Sequence, residues 1–173
     1  STNADLWVVP VEGGEPQNLT AANGGWDGAP LYSPDGSRLA FISQETPGYE
    51  SDLKRLAVLD RASGATRYLT DRASFDNWID DMRWTADSQT LVFEAQVQGR
   101  NPLYRIPAAG GKAVEVLRHA SIVGWALTGD GEGVVYTDRA MAQPTEIFAP
   151  TFGAPPPRQG SRLRRRCRSR RRR

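Results

Sequence analysis

A hydrophobic, Ser-Pro-Asp-Gly, hydrophobic unit returns along this 173-residue chain in three degraded copies. They are APLYSPDGSRLAFIS at 29–43, DMRWTADSQTLVFEA at 81–95 and GWALTGDGEGVVYTD at 124–138. Aligned, they place Asp35, Asp87 and Asp130 at the tip, with Phe41, Phe93 and Tyr136 six residues later. A second element alternates with the first: LWVVPVEGGEPQNLT at 6–20, LAVLDRASGATRYLT at 56–70 and LYRIPAAGGKAVEVL at 103–117. Leu6, Leu56 and Leu103 mark its period, 50 and then 47 residues.

The turn chemistry follows from residue type. Pro34 fixes φ at the second position of a type I turn, Asp35 bonds back to nearby backbone, and Gly36 tolerates the closing conformation. The runs that follow, LAFI at 39–42, TLVF at 90–93 and GVVY at 133–136, are short, apolar and bounded by turn signals. Such runs predict strands buried on both faces. Gly13-Gly14, Ser63-Gly64 and Gly110-Gly111 are hairpin signals in the second element. Repeats of about 40 to 50 residues built from short strands predict a β-propeller with four strands to a blade. The expected fold is therefore all-β: a partial propeller of about three four-stranded antiparallel blades over 3–152, followed by a disordered Arg-rich tail over 153–173. Closed propellers have about four to eight blades, so the chain, which enters a blade halfway through, is expected to be a piece of a longer protein.

Charge divides the chain as well. Residues 1–157 hold all 20 acidic residues against 12 basic ones, a net −8, whereas Arg158–Arg173 holds ten arginines and no acid. That tail repels itself and has almost nothing apolar to bury. One reading makes it a nucleic-acid arm driven by counterion release. The other is a reading-frame slip near Gln159: FGAPPPRQ begins like the approach to the fourth strand in GGEPQNLT, and the pattern ends where Leu-Thr is due. The slip is the expectation, and a nucleic-acid partner is not. Cys167, the one cysteine, allows neither an internal disulfide nor a multi-cysteine metal site. No run is apolar enough to predict a membrane span, and the compartment is left open.

The repeat resembles the WD40-like propeller repeat of TolB-type proteins and of the N-terminal propeller of prolyl oligopeptidase-family serine peptidases. SQETPGYESDLKRLAVLDRASG at 43–64, LTDRASFDNWIDDMRWTADSQTLVFEA at 69–95 and GRNPLYRIPAAGG at 99–111 resemble the dipeptidyl aminopeptidase and acylaminoacyl peptidase branch. The resemblance covers roughly 5–150. It implies a propeller standing over an α/β-hydrolase domain absent from this chain, whose Ser, Asp and His would cleave short peptides admitted by the propeller. The alternative is a non-enzymatic TolB-like scaffold that binds protein partners.

No catalytic, cofactor-binding or metal residue is assigned. The 173 residues contain no Gly-x-Ser-x-Gly elbow, and His119, the single histidine, is expected in a connection as a satisfied or exposed side chain. Asp76, Asp80 and Asp81, beside Trp78, lack the glycine-punctuated loop of a calcium site and are expected in a polar inter-blade connection. Glu45, Glu50 and Asp52 lie in the insertion QETPGYESD between second and third strands, a candidate rim loop. Trp26, Trp84 and Trp125 are expected in the core near the first strands, and Arg100-Asn101-Pro102 as a turn.

Overall fold

The computed structural model describes residues 3–118, 122–129, 131–138, 144–149 and 152. The Arg-rich tail, Cys167, His119 and Asp130 lie outside the described residues. Within them every named element is a strand. β1 (Trp7–Val8) and β2 (Gln17–Asn18) form a two-stranded sheet. A four-stranded sheet follows in chain order: β3 (Asp27–Tyr32), β4 (Arg38–Ser43), β5 (Arg55–Asp60) and β6 (Thr66–Tyr68). β7 (Trp78–Trp84), β8 (Thr90–Gln96), β9 (Leu103–Pro107) and β10 (Val114–Leu117) form the next. β11 (Ile122–Leu127), β12 (Val134–Asp138) and β13 (Glu146–Phe148) make a three-stranded sheet. All pairings between successive strands are antiparallel. This is a partial β-propeller: two complete blades between two incomplete ones.

Why the apolar runs are continuous is visible in how each strand divides its side chains. In β4, Leu39 and Phe41 pack toward β1 and β2 with Ala57, Leu59 and Leu6. Their neighbours Ala40 and Ile42 point the other way, into a core shared with Ile79, Met82, Trp84, Leu91 and Phe93 of the next blade. β8 repeats the division, since Leu91 and Phe93 face backward while Val92 joins Trp125, Val134 and Tyr136 ahead of it. A period-2 backbone buried on both sides needs apolar residues at every position. Phe75, from the connection between the complete blades, adds edge-on contacts to Phe93 and Tyr104, with ring centroids 5.3 and 4.8 Å away.

The Leu-Thr endings have a local cause. Leu69 N–H donates to the Leu56 carbonyl (2.7 Å), and the Thr70 hydroxyl accepts from Leu56 N–H (2.8 Å). Leu19, Leu6 and Thr20 repeat the arrangement at 2.8 and 3.0 Å. A buried threonine thus prolongs the ladder one step past the strand, satisfying a donor that would otherwise be orphaned.

Candidate functional site

Alternating strand directions sort the connections onto two ends of the blades. One end carries the β3–β4, β7–β8 and β11–β12 turns with the β5–β6 and β9–β10 hairpins. The other carries the loops 44–54 and 97–102 and the inter-blade connection 69–77.

The turn end is self-contained chemistry. Gly36 N–H closes the first turn on the Ser33 carbonyl (2.8 Å), with Gly36 at φ +70°. Asp35 accepts from the Ser33 hydroxyl (2.6 Å) and from the Ser37 N–H and hydroxyl (3.0 and 2.8 Å). Those donors, Ser33 first, hold its carboxyl at about 2. Asp87 repeats the role with Thr85 and Gln89. Asp35 and Asp87 are turn locks.

At the loop end, the insertion between β4 and β5 is knit around Asp52. Its carboxylate accepts from the backbone N–H groups of Thr46 (2.7 Å), Leu53 (2.9 Å) and Glu45 (3.0 Å), and from Arg72 in the inter-blade connection (3.2 Å). Gln44, itself buried, donates through Nε2 to the carbonyls of Asp52 and Glu50 (2.8 and 3.1 Å). Burial pushes the Asp52 carboxyl up, but donation from Thr46, Leu53 and Glu45 outweighs it and holds the group at about 2. With its oxygens committed inward, Asp52 organises the loop. Glu45 pairs with Arg55 at 2.9 Å, and Glu50 is exposed. A cleft of about 300 Å³ lies at the loop's base, lined by Glu45, Asp52, Arg55, Asp71 and Arg72.

The aspartates expected in the inter-blade connection are divided by the structure. Asp76 lies there, exposed, but Asp80 and Asp81 are strand residues of β7. The register of β7 against β8 shifts between Ile79 and Asp81, a bulge that absorbs one residue and re-aims its neighbours. Asp80 accepts from Gln96 Nε2 (2.7 Å), and Asp81 pairs with Arg83. Opposite Asp81 stands Glu94, which accepts from Asn101 Nδ2 at 2.7 Å. Burial raises the Glu94 pKa and the Asp80 and Asp81 charges raise it further, against the Asn101 hydrogen bond. Sequence reasoning missed Glu94 and Asn101. Glu94 sits where the other copies carry Ile42 and Thr137, so a charge at an apolar strand position was the available signal. Among the described residues, no group of three His, Cys, Asp or Glu side chains is placed to hold a metal ion.

The tryptophans also divide. Trp84 and Trp125 are buried, 7% and 8% exposed, with Trp84 Nε1 donating across the seam to the Leu31 carbonyl (3.0 Å). Trp26 is half-buried: it packs against the core shared by the two complete blades and also meets a lysine, Lys54. The turn expected at Arg100-Asn101-Pro102 lies earlier, at Gln98-Gly99, where Val97 and Arg100 close it by exchanging backbone bonds of 2.9 and 3.0 Å.

No family model matches the chain. Over 116 residues it is 36% identical to dipeptidyl-peptidase 5 of Porphyromonas gingivalis, a stretch of 67% of this chain and 17% of that protein. The chain belongs to the propellers of the prolyl oligopeptidase family. A propeller of this family is also similar in fold to acylaminoacyl peptidase of Pyrococcus horikoshii (TM-score 0.63, 17% identity, 84% of this chain and 21% of that one). TolB of Acinetobacter baumannii is likewise similar, at TM-score 0.61 and 15% identity over 86% of this chain and 35% of that one.

Proposed function

We propose that this propeller segment helps to gate substrate access in a serine peptidase acting on short peptides, with catalysis carried by an α/β-hydrolase domain of the same protein. The observation that carries the reading is the 36% identity with a protein named dipeptidyl-peptidase 5. The loop end fits such a role physically. Its insertion is pinned by Asp52 and Arg72, and a rigid rim sorts substrates by size at little ordering cost. The runner-up, a non-enzymatic TolB-like scaffold, has the likeness in fold on its side, and a fold hosts many functions.

The gene and its product test this. A reading frame joining this propeller to a Gly-x-Ser-x-Gly elbow, and dipeptide release by the purified product that a serine-directed inhibitor stops, is the expected result. A gene encoding a propeller alone overturns the reading and leaves the scaffold.

A further inference from the structure

We propose that the cleft between the indoles of Trp26 and Trp78 is an ammonium-binding site, filled by the protein's own Lys54, which thereby fastens the loop 44–54 across the seam between the two complete blades. Lys54 Nζ lies 4.7 Å from the ring centroid of Trp78 and 5.8 Å from that of Trp26. Both distances fall within the reach of about 6 Å over which an aromatic face attracts a cation. Lys54 is half-buried, and among the described residues no carboxylate forms an ion pair with it. A partly desolvated ammonium without a counter-charge depends on whatever negative potential faces it, and here that is two indole faces.

The cleft is built by the repeat. Trp26 and Trp78 occupy one repeat position, each seven residues before the first residue of its turn, Ser33 and Thr85. Successive blades thus bring two equivalent indoles to one seam. Gly28 completes the seat: a Cβ there would stand 2.2 Å from Cζ2 and 2.4 Å from Cη2 of Trp26, so the ring lies directly on the Gly28 backbone. Lys54 leaves the loop two residues after Asp52, the group that knits it. The loop is therefore held across the seam twice, by Arg72 on Asp52 and by Lys54 on Trp78. The ligand class is an alkylammonium, primary or methylated. This site stands apart from the peptidase reading.

Chemical rescue tests it in the 173-residue chain. Lys54→Ala is expected to speed hydrogen exchange of the 45–53 amides about fivefold. Added n-propylammonium, the excised end of the side chain, should restore protection, while n-propanol and sodium chloride at equal concentration should not. Unchanged exchange in Lys54→Ala, or rescue no better than that by sodium chloride, overturns the proposal. Should Lys54→Ala unfold, Lys54→Arg and Lys54→Met decide: protection kept by Arg and lost with Met supports the site, and equal behaviour of the two overturns it.

Discussion

The two ends of the same blades are held by different kinds of interaction. At the turn end, Asp35 is locked by Ser33 and Ser37, and Asp87 by Thr85 and Gln89, all within two residues in sequence. At the loop end, Asp52 is gripped from six and seven residues away and by Arg72, and Lys54 reaches Trp26 and Trp78 on separate blades. Local locks fix the shape of each tip, while Ser88 ties the second tip to Asp35 and Arg38 of the preceding blade. Long-range locks knit the loop end together across two blades.

The sharpest way to break this comparison is to add one methyl group at each end. At Gly25 a Cβ would stand 2.1 Å from the Gln44 carbonyl oxygen, backbone against backbone, so Gly25→Ala should cost roughly 3 kcal/mol in urea melts. At Gly36 a Cβ would meet only the end of the Arg61 side chain, at an ordinary 3.9 Å, so Gly36→Ala suffers from its positive φ, a cost of about 1 kcal/mol. Equal losses would erase the distinction.

Next in size is Asp52→Asn, which removes the charged acceptor shared by three backbone N–H groups and should cost roughly 2 kcal/mol. Its pH dependence has a definite sign. Because the folded pKa is depressed to about 2, the stabilisation is complete above the ordinary carboxylate range and is lost as the pH falls from there through about 2. Urea melts across that window should converge for wild type and Asp52→Asn, and a constant gap would refute the assignment.

The smallest effect sits where two neighbouring tips of the turn end meet. Ser88 replaces the turn glycine of the second copy at φ +60°, and its Oγ accepts from Asp35 N–H of the preceding blade (3.1 Å). Its carbonyl accepts from Arg38 (3.1 Å). Ser88→Ala keeps the strain and loses the acceptor, so about 1 kcal/mol should go. Ser88→Gly relieves the strain and should lose less. The reverse order would show that backbone conformation has no part in the choice of serine.

How much was legible follows the same division. The strand runs and the hairpin glycines were readable because each rests on a short segment's own periodicity or dihedral preference. Asp35 and Asp87 at the tips were readable for the same reason, and so were the Leu-Thr endings as a pattern, though not their hydrogen bonds. The placing of Asp80 and Asp81 in a connection failed because a bulge in β7 extends the strand back to Trp78. Trp26 was readable as packing on the core, but not that its half-buried ring also takes a lysine from a loop 28 residues later in the chain. Glu94 escaped notice because its environment is assembled from Asp80 and Asp81 on the neighbouring strand and Asn101 in the following loop.

From sequence alone came the strand pattern within each blade, the phase of the blades and the chemistry of the Asp35 and Asp87 turns, since these are set by residues that touch their near neighbours. Tertiary structure alone decided which carboxylates are committed inward, which indoles meet at a seam and which cation lies between them. Those outcomes depend on the stacking of one blade against the next, and stacking joins residues that no local preference relates.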